Sequence, residues 1–182
     1  MHNGVKVGIV LALGGLGYGA WKLYVNKLGS KSESELFEMV AAGGARGSAG
    51  ESELTLRASS GKTAVGVFRG RLTDPSPAVR ILACRILGSQ KDKDAAKGLL
   101  ALLQDPKEDA EVKEAVCGAF VKIRVKEAVP PLLAHLDYTS ETVRVAASEA
   151  LRSITGQAYS NKEPDKWREW WESNKATFVV KE

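Results

Sequence analysis

The stretch AVPPLLAHLDYTSETVRVAASEAL (residues 128–151) decides the fold, because it holds two helical patterns with a turn between them. In its second half Val143, Ala147, Ala150 and Leu151 stand at offsets of 0, +4, +7 and +8, which share one face of a helix. The first half has apolar residues at a helical spacing of its own and is followed by Asp137. The stretch therefore predicts two amphipathic helices joined by a short turn.

The same two-helix unit occurs three times, and such self-similarity is typical of a repeat architecture. Copies of the first pattern start after intervals of 31 and 33 residues. Prolines in two of the turns, Pro75 and Pro106, favour the start of a new helix. The units begin at Ala64, Ala95 and Ala128, their turn aspartates are Asp74, Asp105 and Asp137, and their second helices begin near Val79, Val112 and Val143.

A degenerate first copy is expected upstream, because Phe37 lies 31 residues before Phe68. Ser32 and Glu35 have the spacing of a capping box, and the Gly43-Gly44 pair is a stop signal for the helix they start. The second helix of this copy is expected within residues 51–59. The glycine- and serine-rich residues 45–51 are expected to form a loop.

The first segment has a different composition, with about 15 uncharged residues between Lys6 and Lys22. The two lysines can extend towards the lipid headgroups, so we expect an uncleaved transmembrane helix, with a cleaved signal peptide or a buried soluble helix as alternatives. This predicts a single-pass protein of the bacterial inner membrane, and the lysines after the span slightly favour a cytoplasmic soluble domain. Small residues at helical spacing favour packing of the span against another membrane helix; they are Gly4, Gly8, Ala12, Gly15 and Gly19.

Three tryptophans lie within five residues near the C-terminus, in the stretch DKWREWW (residues 165–171). Trp167, Trp170 and Trp171 stand at i, i+3 and i+4, so they share one face of a helix. The last unit of a solenoid leaves an apolar face that a terminal element must cover. We therefore expect a structural cap over Ala147, Leu151 and Ile154, with an aromatic cage for a cation or a membrane contact as alternatives.

The repeated unit, with its turn aspartate and the Val-Arg that opens the second helix, resembles the HEAT repeat in its short bacterial form. The resemblance covers residues 33–155, and the stretch ITGQAYSNKEPDKWREWW resembles a tail that follows such repeats in bacterial proteins. It implies an all-α superhelix, a HEAT-like solenoid used mainly as a protein-binding scaffold. The expected organisation is an anchor in residues 1–30, a degenerate repeat and linker in 31–60, three repeats in 61–155 and a cap in 156–182.

Catalysis, a cofactor and a bound metal are not expected from this sequence. The 182 residues carry a net charge of only +4, and the two cysteines, Cys84 and Cys117, have no metal-ligand spacing and are expected to be free packing residues. The string SSGKT (residues 59–63) lacks the first glycine of a phosphate-binding loop. The lone His135 on a repeat helix has no catalytic partner at a recognisable spacing.

Two further groups of residues recur in register. The basic residues Arg80, Lys113 and Arg144 are expected to pair with the turn aspartates along the stack, as such residues do in repeats of this kind. The outward positions of the second helices are expected to contact a partner, since apolar residues among them suggest a recognition surface; they are Ile81, Arg85, Glu114, Gly118, Val145 and Glu149.

The resulting prediction is a membrane-anchored scaffold, a non-catalytic accessory or assembly subunit of a bacterial membrane complex, that binds another protein and no small-molecule substrate. One alternative is a HEAT-like module of the bilin-lyase type that handles a chromophore. The other is a solenoid that binds anionic lipid or nucleic acid through Arg85, Lys122, Arg124 and Lys126, although the modest net charge makes nucleic acid an unfavoured partner.

Overall fold

The computed structural model describes residues 26–180 and divides the chain into two compact units, residues 1–64 and 65–182. In the described part of the first unit, α1 (Glu33–Ala42) packs against α2 (Gly44–Ser59). The predicted capping box is confirmed, since the Glu35 amide donates to the Ser32 hydroxyl and the Ser32 amide donates to the Glu35 carboxylate. Gly43, with φ of +69°, ends α1 as expected.

The expected loop at residues 45–51 is wrong, because these residues belong to the continuous helix α2. The glycines that suggested a loop lie where α2 crosses α1. A Cβ atom at Gly50 would stand 2.8 Å from the carbonyl oxygen of Leu36, and one at Gly47 would stand 3.2 Å from that of Met39. Close packing of two helices therefore explains glycines that the sequence presents as helix breakers.

The second unit is a series of helix pairs, as the repeat pattern predicts. The packing order within it is that of a solenoid, because α4 packs against α6 and α6 against α8, while the shorter helices lie beside their own partners. The α-helices are α3 (Val65–Gly70), α4 (Pro77–Ser89), α5 (Ala96–Gln104), α6 (Ala110–Ile123), α7 (Val129–Ala134), α8 (Glu141–Thr155) and α9 (Pro164–Asn174), and short 3₁₀ turns adjoin α3, α5 and α7.

The predicted apolar positions of the second helices form the core of this unit. All four positions are buried in each of α4, α6 and α8. The core is closed at the C-terminal end by α9, where the side chains of Trp167 and Trp171 are buried and α9 contacts α7. No strand occurs within residues 26–180, so the described chain is all-α.

The structure contradicts the prediction that this is a single-pass protein of the inner membrane. Within residues 26–180 no helix is long and apolar enough to cross a bilayer. The longest of them, α2, has 16 residues, which is about 24 Å against a hydrocarbon core of about 30 Å, and it carries Arg46, Glu51, Glu53 and Arg57. The span expected between Val5 and Val25, with its small residues from Gly4 to Gly19, lies outside the described residues.

Candidate protein-binding groove

The six residues predicted to meet a partner line two adjacent concavities along the second helices. The first, of about 580 Å³, lies between α4 and α6 and is lined in part by Ile81, Arg85, Glu114 and Gly118. The second, of about 370 Å³, lies between α6 and α8 and includes Val145 and Glu149. Glu114 lines both concavities, so together they form one surface, which we call the groove.

Helices α4 and α6 approach each other closely where they line the groove. Gly88 of α4 is buried, and a Cβ atom there would stand 2.8 Å from the Cα of Ala119 on α6. Only glycine fits this contact without a shift of backbone. The two helices can thus come close together at Gly88, and this glycine lines the first concavity together with the small residues Ala115 and Ala119.

Gly118 is different, because a Cβ atom at this position would meet nothing within 4 Å. The residue is exposed and lies in the interior of α6. A glycine there costs about 0.5–1 kcal/mol relative to alanine. No contact within the described chain requires a glycine at this position. The missing side chain keeps the wall of the groove open.

Charge divides the groove along its length. Arg85 and Lys122 line the first concavity beside Glu111 and Glu114. The charged residues that line the second concavity are all acidic; they are Glu114, Glu141 and Glu149. The exposed Val145 adds an apolar contact among these carboxylates.

The residues of the groove that the sequence interpretation missed follow the same helical spacing. Glu111 and Lys122 stand at i−7 and i+4 from Gly118, on the face that Glu114 also occupies. A full i, i+3, i+4, i+7 reading of each second helix would have found them. Gly88 could not be found in this way, because its role depends on the distance between two helices.

The recurring basic residues bind backbone carbonyls of the turns, which corrects the expected ladder of aspartate pairs. Arg80 Nη1 donates to the carbonyl oxygens of Asp74 (2.8 Å) and Pro75 (3.1 Å). In the third repeat, Arg144 Nη1 donates to the carbonyl oxygens of Tyr138 and Thr139. In the second, Lys113 Nζ donates to those of Leu103 and Asp105. These cations therefore satisfy carbonyls left without partners at the ends of the first helices.

Arg80 also connects two repeats through a carboxylate that is not the turn aspartate. Its Nη2 and Nε atoms bind Glu108 Oε1 at 2.6 Å and Oε2 at 2.9 Å. The Glu108 side chain is only 5% exposed and that of Arg80 14%. This bidentate pair joins α4 to the turn before α6, which is a structural role.

Burial shifts the pKa values of three ionisable groups of the core and leaves the two thiols unreactive. Cys84 and Cys117 are free and buried, and desolvation raises the pKa of each thiol to about 12. Burial also lowers the pKa of Lys113, whose ammonium group is held by two carbonyls. A thiol with a raised pKa is a poor nucleophile. Among residues 26–180, no three His, Cys, Asp or Glu side chains are grouped so that they could hold a metal ion.

The four cations proposed for binding of anionic lipid or nucleic acid are divided among different environments. Arg85 and Lys122 lie in the groove together with glutamates. Lys126 Nζ donates to the carbonyl oxygen of Phe178 at 2.8 Å, and Arg124 lines a separate pocket near the C-terminus. Within the described part of the chain, these four side chains therefore do not form one basic surface.

The three C-terminal tryptophans have two different environments. Trp167 is fully buried, donates from Nε1 to the Ser160 carbonyl oxygen at 3.1 Å and packs edge-on against Tyr159. Trp171 is also buried, whereas Trp170 is half-buried and lines the pocket that contains Arg124. The sequence pattern, which puts all three on one face of α9, does not distinguish them.

Comparison with known proteins agrees with the architecture of the second unit. Residues 65–152 match the family model described as HEAT repeats, which spans α3 to α7 and most of α8. No curated protein and no solved structure matches the chain. Residues 65–152 are therefore an α-helical solenoid of HEAT repeats, a repeat type that typically mediates protein–protein interaction.

Proposed function

We propose that this protein is a non-catalytic scaffold whose groove binds a segment of another protein. The HEAT repeats of residues 65–152 support an interaction role, since solenoids use extended concave surfaces for binding. The observation that carries the proposal is Gly118, an exposed mid-helix glycine with open space around it. A partner backbone that approaches α6 closely gives a physical reason for the missing side chain.

The charges of the groove support a specific chemistry for the proposed partner. Glu141 and Glu149 surround the exposed Val145 in the second concavity. A segment that offers an apolar side chain to Val145 and basic side chains to these glutamates complements both features. The partner is therefore expected to carry a short basic and apolar sequence, with an acidic or neutral part near Arg85 and Lys122.

Site-specific photo-crosslinking of the full chain in its native cells tests the proposal. A benzophenone amino acid at Thr142, which lines the groove, is expected to give one discrete protein adduct. The same amino acid at Lys97, an exposed residue of α5 outside the groove, is the control for random collisions. Mass spectrometry of the adduct would identify the partner segment and its charge.

Two matched glycine substitutions separate groove binding from general effects on the chain. Gly118→Trp adds an indole in the groove, at a position where a Cβ atom meets nothing within 4 Å, and Gly66→Trp adds the same side chain at an equally open position on α3. We expect the first to lower the adduct yield at Thr142 at least five-fold and the second to leave it unchanged. Equal labelling from Lys97, or a yield that is insensitive to Gly118→Trp, would contradict the proposal.

A further inference from the structure

A second concave site lies at the C-terminal end of the second unit, away from the groove residues. It is a pocket of about 610 Å³ between the end of α8, helix α9 and the tail that follows. This volume lies in the range of pockets that bind small ligands or short peptide ends. Its lining residues include Arg124, Gln157, Trp170 and Phe178.

Most polar side chains of the pocket already have partners in the chain. The hydroxyls of Ser153 and Thr155 donate to the carbonyl oxygens of Val121 and Leu151, each at 2.7 Å, and the Asn174 amide donates to that of Trp170. Two others differ, because within residues 26–180 the side chains of Arg124 and Gln157 have no hydrogen bond or ion pair. These two groups are therefore available to a ligand.

Arg124 is also the one charged residue among the described residues that line this pocket. A guanidinium group with five donors and no carboxylate partner suits an anion, and a carboxylate can accept two parallel hydrogen bonds from it. The amide of Gln157 can donate a third. The polar end of the pocket is therefore suited to a carboxylate.

The backbone conformation of Arg124 recurs at the end of each second helix, since φ is +52° at Lys91, +47° at Arg124 and +76° at Gly156. Arg124 ends α6 with φ of +47° and ψ of 84°, a left-handed conformation that favours glycine. Arginine in this position costs stability that glycine would not, so glycine can replace Arg124 without backbone strain.

The other side of the pocket is apolar. Ile154, Trp170 and Phe178 line it, and the rings of Trp170 and Phe178 meet edge to face with centroids 5.5 Å apart. Both aromatic side chains are only half-buried. Lys126 fixes this wall in place, since its ammonium group binds the Phe178 carbonyl oxygen and lies 6.0 Å from the ring centroids of Trp171 and Phe178.

We propose that this pocket binds a carboxylate that is joined to a large apolar or aromatic group. Arg124 and Gln157 hold the carboxylate, and Trp170, Phe178 and Ile154 contact the apolar part. The same chemistry is found at the C-terminus of a peptide that ends in an aromatic residue and in a free aromatic acid. The site is separate from the groove, so it does not depend on the scaffold function proposed above.

Titration of the full-length protein with matched probes tests this site. N-acetylphenylalanine carries the carboxylate, N-acetylphenylalanine amide lacks it, and a tetrapeptide with a C-terminal phenylalanine presents the same group on a chain. Binding is followed by indole fluorescence and by saturation-transfer NMR at low salt. We expect at least one of the two acids to bind, and the amide to bind at least ten-fold more weakly than N-acetylphenylalanine or not at all.

The variant Arg124→Gly makes the test independent of folding, because glycine is favoured at this backbone conformation. We expect it to melt no lower than the wild-type protein and to bind the acids at least ten-fold more weakly, while Arg124→Lys keeps part of the affinity. Tighter binding of the tetrapeptide than of N-acetylphenylalanine would identify a chain terminus as the ligand. Equal affinity for the two acids would identify a free acid. Absence of binding by both acids, equal binding of the amide, or full affinity in Arg124→Gly would overturn the proposal.

Discussion

Two glycines inside helices, Gly50 and Gly118, have opposite effects on the stability of the protein. A Cβ atom at Gly50 would press on the carbonyl oxygen of Leu36, whereas one at Gly118 would meet nothing. Overpacking typically costs about 1–3 kcal/mol, and removal of a glycine from a helix returns about 0.5–1 kcal/mol. We expect Gly50→Ala to destabilise α1 and α2 and Gly118→Ala to stabilise α6, as measured by amide hydrogen exchange in each helix. Faster exchange in both variants would contradict the packing described here.

His135 is a second residue whose environment predicts a measurable effect. It is buried, its Nδ1 lies 2.8 Å from the Pro131 carbonyl oxygen, and it stacks on Tyr138. Burial lowers its pKa below the ordinary value of 6.5. The unfolded chain therefore binds a proton more readily than the folded chain, so stability is full above pH 6.5 and falls as the pH drops through 6.5 towards the folded pKa.

Chemical denaturation between pH 7.5 and 5 measures this effect. One group changes the free energy of unfolding by at most about 1.4 kcal/mol per pH unit. We expect the wild-type protein to lose stability across this window and His135→Leu to lose less of it. Glu35 and Glu163, whose pKa values are lowered to about 2, act as controls because their contributions are lost only below about pH 4.5. An equal pH dependence in His135→Leu would contradict this role of His135.

At the scale of elements, the connection between α4 and the turn before α6 depends on the pair formed by Arg80 and Glu108. Removal of one member of such a buried pair leaves an uncompensated charge and typically costs about 3–5 kcal/mol. We expect Arg80→Met and Glu108→Leu each to destabilise the second unit, and the double variant to lose much less than the two losses added together. Equilibrium denaturation of the four proteins in this cycle gives the coupling free energy. A coupling near zero would mean that the contact does not join the repeats.

The elements that the sequence predicts well are those whose signal is local. The second helices follow from apolar residues at the helical period, and α1 follows from the capping box at Ser32. The first half of helix α2 was missed because its glycines have low helix propensity, and packing against α1 overrides that propensity. The carbonyl partners of Arg80 were missed because the spacing of residues does not encode where a long side chain ends.

The candidate sites divide in the same way. The groove could be located from one face of three helices, since its residues stand at regular intervals along α4, α6 and α8. The C-terminal pocket could not, because its wall depends on the path of the chain after α9 and on the bond from Lys126 to the Phe178 carbonyl oxygen. Regular spacing says nothing about either feature. The environment of Trp170 therefore becomes clear only in the folded chain.

At the scale of the second unit, the stability of a solenoid depends on contacts between neighbouring repeats and on its terminal cap. Trp167 is the largest buried side chain of that cap, and replacement of a buried tryptophan by alanine typically costs about 3–5 kcal/mol. The loss should act first on α7, which α9 contacts, and then on α8, which packs against α7. We expect Trp167→Ala to accelerate amide exchange most in α7 to α9 and least in α3 and α4.

The half-buried Trp170 offers the matched control for this prediction. Trp170→Ala removes an indole from the same helix, but from the wall of the pocket rather than from the core. It should accelerate exchange much less than Trp167→Ala, because less of its surface leaves water on folding. Hydrogen exchange followed by mass spectrometry on the full chain resolves the two variants helix by helix. Equal acceleration in all helices of the second unit would show that it unfolds as one cooperative block, and the cap would then stabilise every repeat to the same extent.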